Sequence, residues 1–312
     1  MSAHVRHQGT FKYELVVKSI WPDATLIRVE RLSGGVSALV TRIDARNRSG
    51  TVRSCVVRQH GVADLTRNPN IASDEFTLLT FLLAEGLPVP EPLMVVAGSE
   101  ESRATYLVTS FVEGSRLDGT VLDAEVASEM AETLSSIHSI DAGRAELGSL
   151  GNASDNALTL IESDRVRALS AARDRAWWNA LDRGWSVQSR NPAALLHGDF
   201  WPGNLLWNGG SICAVLDWED AVVGDPLVDV ANCSLELYLE RGPELASHFV
   251  HEYSNRNPRI DWTHFVQWQL LAAARLHFRI PEWGLATEEQ TEMLTRVAAF
   301  ADARLLDLGS GE

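Results

Sequence analysis

Strand-type patterning occupies the first hundred residues of this 312-residue chain, and helix-type patterning occupies most of the chain beyond residue 114. A chain that keeps strands and helices in separate stretches folds as α+β, because it lacks the alternating βαβ units that build parallel sheets. The strand candidates are Thr25–Leu32, Leu39–Ala45, Thr51–Gln59, Leu93–Ala97 and Thr105–Thr109. The polar turn Asn47–Gly50 joins the second and third into a hairpin, and the set predicts a mainly antiparallel sheet. One helix is predicted among them, over Ser73–Glu85, with Phe76, Leu79, Phe81 and Leu82 near one face. Ser73 or Asp74 is its expected cap and Gly86 its expected end. Pro88 and Pro90 then punctuate the chain.

Phe111–Gly114 reads as a linker, which divides the chain into a strand-rich lobe, residues 1–110, and a helical lobe, residues 111–312. In the second part, Asp123–Ile140 places Val126, Met130, Leu134 and Ile137 at helical spacing. Further helices are expected over Asn156–Arg183, Leu227–Leu239, Glu244–Tyr253, Trp262–Phe278 and Glu288–Leu306, with Gly309–Glu312 frayed. Two short strands, Leu205–Trp207 and Ile212–Leu216, interrupt this run around Gly209-Gly210.

That interruption carries the chemistry. In Leu195–Trp207 (LLHGDFWPGNLLW) an apolar run delivers His197-Gly198-Asp199, Pro202-Gly203 turns the chain, and Asn204 opens the next apolar run. In Ala214–Ala221 (AVLDWEDA) a second apolar run delivers Asp217. The pattern predicts two carboxylates and one carboxamide at the same end of a small ribbon, a hard-oxygen set suited to Mg²⁺. Asp199, on the loop before them, is placed to orient a nucleophile. Phosphoryl transfer needs such parts, since the metal must bridge anionic phosphates and a carboxylate must position the attacking hydroxyl. Trp201, Trp207 and Trp218 interleave with these residues, and packing is the favoured reading over a cation platform.

These segments resemble the aminoglycoside phosphotransferase and choline kinase-like family, which shares the protein kinase fold. The catalytic-loop Asp followed five residues later by Asn, then a metal-binding Asp after a hairpin, is matched by Asp199, Asn204 and Asp217. The resemblance implies a bilobal protein kinase-like fold with an N-terminal antiparallel sheet and one helix, and a larger helical C-terminal lobe. It implies Asp199 as catalytic base, Asn204 and Asp217 as Mg²⁺ ligands, His197 as a brace, and Asp229 of Gly224–Asp229 as the support of the catalytic loop.

The resemblance also places a nucleoside triphosphate, ATP or GTP, between the lobes. Ser33, Gly34 and Gly35 then cover the phosphates, where glycine allows close backbone approach. Arg58 takes the place of the usual lysine on the third strand, with Glu75 on the following helix as its partner; the fork of an arginine is not equivalent to an ammonium. Ser110, Phe111 and Val112 form the expected hinge that reads the base.

The acceptor is implied to be a small hydroxyl compound, aminoglycoside-, amino sugar- or amino alcohol-like. Glu219, Asp220 and Asp225 offer an acidic rim for a cationic one, and Glu282-Trp283 is a further pocket candidate. The formal charge of −15 makes nucleic acid a poor partner and tolerates a cation. No apolar run reaches the roughly 18–20 residues of a membrane span, and Met1–Thr10 has no apolar core, so no secretory signal is expected. Cys55, Cys213 and Cys233 form neither a disulfide framework nor a zinc signature, and Cys55 and Cys213 read as buried thiols in a cytoplasmic protein, monomer or homodimer. The alternative reading is a pseudokinase-like protein that binds a nucleotide or metabolite without turnover.

Overall fold

In the computed structural model the described residues are 3–32, 38–96, 105–117, 121–157, 176–177, 179–181 and 189–309. They divide into two compact units, Met1–Gly114 with Cys213–Glu219, and Ser115–Ile212 with Asp220–Glu312. A continuous division at residue 110 makes no provision for the short segment carrying Asp217, which belongs with the first unit. There Val215 N donates to the Pro88 carbonyl at 2.7 Å.

The first unit is built on a five-stranded sheet in the order β1-β2-β3-β5-β4. Its strands are β1 (Thr25–Arg31), β2 (Ala38–Arg46), β3 (Val52–His60), β4 (Pro92–Val96) and β5 (Tyr106–Ser110). Every neighbouring pair is antiparallel, as the patterning predicts. At the β2–β3 turn, Asn47 Oδ1 accepts from Thr51 N at 2.9 Å, the local side-chain bond that makes Asn a turn former. Inward residues Ile43, Ala45, Cys55, Val57 and Val108 are all buried, so β3 sits in the middle of the sheet with Arg58 near its end.

The sheet carries more helix than the patterning predicts. Helix α1 (Ala3–Ile20) packs Val16 and Val17 into the same core, with Tyr13 and Ile20 against it. A short α2 (Val62–Arg67) follows β3 directly. Helix α3 (Ile71–Ala84) starts before Ser73, and its flanking residue is Asn70, which makes no side-chain capping bond. Neither Ser73 nor Asp74 is therefore the cap; Asp74 instead accepts from Asn68 Nδ2 at 2.8 Å. The other end follows expectation: Leu87 N reaches Leu82 O and Gly86 N reaches Leu83 O, the paired closure of a helix ending at glycine.

In the second unit, helix α4 (Ala124–His138) is capped by Asp123, whose side chain accepts from Val126 N, and it buries Met130, Leu134 and Ile137. Strands β6 (Gly151–Asn152), β7 (Ala194–Leu196) and β10 (Val222–Gly224) form a small sheet in the order β6-β10-β7. Helices Leu227–Arg241, Pro243–Arg256, Phe265–Arg279 and Thr287–Gly309 complete the unit. Leu227, Leu235, Leu270, Ala273, Val297 and Phe300 belong to the core beneath them. The hairpin of β8 (Leu205–Asn208) and β9 (Ser211–Val215) turns at Gly209-Gly210, with φ of 61° and 91°. Most of the helix expected over Asn156–Arg183 lies outside the described residues, as do Ser33, Gly34 and Gly35. Cys55 and Cys233 are buried free thiols, whereas Cys213 is only half-buried, because its position in β9 alternates away from the buried Ile212 and Ala214. Among the described residues no helix is long and apolar enough to cross a membrane.

Candidate active site

The catalytic-loop candidate is held from below by one buried carboxylate. Strand β7, buried at all three positions, delivers His197-Gly198-Asp199. Asp229, in the first turn of helix Leu227–Arg241 and fully buried, accepts from His197 N at 2.7 Å through Oδ2 and from Gly198 N at 3.0 Å through Oδ1. His138 Nε2 lies 3.3 Å from the same Oδ2, and its Nδ1 is 2.7 Å from the Tyr253 hydroxyl. Burial alone pushes the Asp229 carboxyl up, but the bond and charge of His138, with the charge and main-chain donor of His197, hold it below the usual carboxylate range. Two consecutive amides on one carboxylate fix the direction in which the next residue, Asp199, leaves the strand.

Asn204 completes the loop. Its Nδ2 donates to both the main-chain oxygen and Oδ2 of Asp199, each at 2.9 Å. Asp199 N is 3.2 Å from His197 Nδ1, so His197 braces the loop from within. Gly198 has φ of 82°, and a Cβ there would lie 2.1 Å from the Asp220 carbonyl oxygen. Gly198→Ala therefore combines a left-handed backbone, about 1–3 kcal/mol, with a displaced carbonyl. A fall of at least that size in urea-unfolding stability is expected, and unchanged stability would show that the loop relaxes freely.

Asp225 is not part of an acidic rim. It is buried, with Oδ1 accepting from Asn191 Nδ2 and Leu227 N and Oδ2 from the Ser189 hydroxyl at 2.6 Å. A residue missed from the sequence is Glu236, one heptad beyond Asp229 on the same helix. Burial, then the charges of Asp199 and Glu240, push its carboxyl up to about 7, against the pull of Arg275. The tryptophans pack: Trp207 and Trp218 are buried, Trp218 Nε1 donates to Val215 O at 3.1 Å, and the Trp201 ring fills the space a Cβ on Gly203 would need.

The first unit holds the second group of candidates. Arg58 donates through Nη1 to Glu75 Oε1 at 2.9 Å, and through Nη2 to Asp217 Oδ1 at 2.5 Å and Glu219 Oε2 at 2.7 Å. The pairing with Glu75 is the one expected, and the other two bring Asp217 and Glu219 to the same guanidinium. Burial works against its charge, but Glu75, Asp217 and Glu219 together raise its pKa further above the ordinary arginine value. Glu219 is thereby a partner of Arg58 rather than a rim residue. Asp217 has φ of 67°, a left-handed conformation that aspartate tolerates better than most residues.

Beside this cluster, His60 has a fully buried ring, and burial followed by the Arg58 charge push its pKa down to about 4. In the candidate hinge segment, Ser110 N and Phe111 N donate to Glu91 O and Ser54 O, and the Arg42 guanidinium stacks on the Phe111 ring at 3.9 Å. Among the described residues Val112 is the hinge position whose amide is not spent on another carbonyl. Glu282 and Trp283 are exposed beyond helix Phe265–Arg279.

Comparison with known proteins gives these groups a family. The chain is 25% identical over 201 residues to acyl-CoA dehydrogenase family member 10 of Mus musculus, covering 60% of this chain and 19% of that one. It is 27% identical over 198 residues to hygromycin-B 4-O-kinase of Escherichia coli, covering 58% of this chain and 55% of that one. The chain thus spans about a fifth of the first relative and just over half of the second. Among solved structures, a thermostable mutant of aminoglycoside phosphotransferase APH(4)-Ia, in ternary complex with ADP and hygromycin B, superposes with a TM-score of 0.63 at 18% identity. That match covers 93% of this chain and 96% of the other, and it shows that the predicted kinase-like α+β fold is the one adopted. The model of the phosphotransferase enzyme family (APH) matches residues 28–268, most of the chain including Arg58, Asp199, Asn204, Asp217 and Asp229, and to that family this protein belongs.

Proposed function

We propose that this protein is a small-molecule kinase that moves the γ-phosphoryl group of a nucleoside triphosphate, ATP or GTP, onto a hydroxyl of an aminoglycoside-, amino sugar- or amino alcohol-like acceptor. The observation that carries the reading is the double grip on Asp199: Asn204 holds its carboxylate while Asp229 fixes the two preceding amides. A carboxylate oriented in this way suits a general base. It takes the acceptor's hydroxyl proton as the acceptor oxygen bonds to the γ-phosphorus. The bond from that phosphorus to the bridging oxygen breaks, and its electrons leave with the nucleoside diphosphate.

The donor set suits Mg²⁺. Asn204, which spends its Nδ2 on Asp199, would give a metal its carbonyl oxygen, and Asp217 would give the oxygen that Arg58 does not hold. The chemistry Mg²⁺ would supply, when held by these residues, is neutralisation of phosphate charge that the carboxylates would otherwise repel. Arg58, oriented by Glu75, pairs with phosphate; Ser33, Gly34 and Gly35 cover the phosphates; the Val112 amide in the Ser110–Val112 hinge reads the base. Residues 1–110 with the Asp217 segment serve the nucleotide, and the helical part serves the catalytic loop and the acceptor. The kinase that acts on hygromycin B and the ADP–hygromycin B complex among the relatives support this class. The free thiols fit a cytoplasmic setting.

A coupled ADP-release assay tests the reading, with aminoglycosides, macrolides, amino sugars, choline, ethanolamine and homoserine as acceptors and ATP and GTP in parallel. At least one class should raise release about tenfold or more over the no-acceptor rate, equivalent to about 1.4 kcal/mol of transition-state stabilisation. One feature favours a second reading, binding without turnover: the phosphate-pairing candidate Arg58 is already engaged by three carboxylates. Nucleotide binding with no acceptor-dependent release would select it.

A further inference from the structure

His60 closes β3 with its ring fully buried, and neither ring nitrogen has a hydrogen-bond partner among the described residues. A buried imidazole with both nitrogens idle is costly, and native structures nearly always give such groups a partner. The ring faces carboxylates on both sides. Nδ1 is 4.0 Å from Glu219 Oε2, and Nε2 is 3.6 Å from Glu75 Oε2. Asp64, buried in the first turn of α2, completes the surroundings: one ligand atom each of His60, Asp64 and Glu219 lies within 4.8 Å of the other two.

We infer that His60, Asp64 and Glu219 form a binding site for a divalent transition-metal ion, zinc in the first instance, separate from the Mg²⁺ ligands Asn204 and Asp217. Charge, geometry and donor chemistry all support it. Among the described residues, Asp64, Glu75, Asp217 and Glu219 gather around His60 and the Arg58 guanidinium, four carboxylates against one guanidinium. The imidazole is suitably flanked. A metal-bound histidine turns one nitrogen to the ion and donates from the other to a carboxylate, and His60 has Glu219 on the first side and Glu75 on the second. The donor set, one imidazole nitrogen with carboxylate oxygens, favours zinc, cobalt or manganese over magnesium. Metal–ligand bonds of about 2.0–2.2 Å hold donors up to about 4.4 Å apart. A few tenths of an ångström of carboxylate rotation therefore close the site.

The test uses the full chain, free of affinity tags and nucleotide, with Mg²⁺ in excess. Zinc binding is measured by calorimetry and cobalt binding by visible absorption, which reports coordination geometry. One saturable site per chain is expected, with zinc raising the thermal midpoint. His60→Gln and Asp64→Asn should each weaken binding by about 10–100-fold, the range typical for disturbed metal sites, while Asn204→Ala leaves it unchanged. Circular dichroism confirms that each variant is folded; should His60→Gln not fold, Asp64→Asn decides. Absence of saturable zinc binding in the presence of Mg²⁺, or wild-type affinity in the folded variants, overturns the site. Because Asn204→Ala removes a proposed Mg²⁺ ligand and none of these groups, failure here is distinguishable from failure of the kinase reading.

Discussion

Asp199→Ala lowers acceptor-dependent turnover by about 10²–10⁴-fold, the range a positioned general base contributes, while leaving nucleotide affinity within about twofold, under ~0.5 kcal/mol. The asymmetry follows from where the residue is held. Its Oδ2 is engaged by Asn204, and the preceding amides are fixed by Asp229, so the carboxylate is aimed without help from Arg58, the proposed phosphate partner. Removing it leaves Arg58, Glu75 and Asp217 intact in the first unit. Asp199→Asn is the sharper companion, because it keeps the size of the side chain and removes the proton acceptor. Turnover in the coupled assay and nucleotide affinity by calorimetry separate the two effects. Retained turnover in both variants would strip Asp199 of the base role, and a parallel loss of affinity would make it part of the nucleotide site instead.

What the sequence disclosed depended on how local each signal was. The hairpins were legible because alternation and the Asn47–Gly50 and Gly209-Gly210 turns are written within a few residues. The Gly86 stop belongs to the same class, and it formed as expected. Helix α1 was legible in principle, since Tyr13, Val16, Val17 and Ile20 recur at helical spacing, but a polar first half masked it. Its stability comes from packing on the sheet rather than from its own propensity. The start of α3 was misjudged for a related reason: Ser73 and Asp74 are good capping types, yet the chain turns at Asn68 and Asn70 first.

Among site residues, Asp199, Asn204 and the Arg58–Glu75 pair follow from motif spacing. Partnerships across long separations did not. Arg58 meets Asp217 and Glu219 about 160 positions away in the chain, and no composition or periodicity distinguishes that from a solvated acidic rim. Asp225 misled in the same way, because burial and its Asn191 and Ser189 partners are tertiary facts. His60 had no sequence signal at all, since a lone histidine at a strand end reads as an ordinary core residue.

Asp229→Ala carries the largest expected cost in stability, about 3–5 kcal/mol, as for removal of one member of a buried charged set. Its carboxylate accepts from two main-chain donors and lies beside His138 at zero exposure. Each buried donor left unsatisfied costs about 1–3 kcal/mol on its own. Asp229→Asn keeps the volume and one acceptor and should lose less, which guards against simple misfolding of the alanine variant. The pH dependence identifies the cause. Asp229 has a folded pKa below its unfolded value, so its ionised contribution is fully present above the unfolded carboxylate value of about 3.9 and is lost as pH falls through the folded one. The stability gap between wild type and Asp229→Asn should therefore narrow as pH falls below about 4. Urea midpoints across that range measure it. A gap that stays flat into strong acid, or a loss below about 1 kcal/mol in the alanine variant, the scale of one ordinary hydrogen bond, would show that the amides of His197 and Gly198 do not depend on this carboxylate and that the catalytic loop is anchored elsewhere.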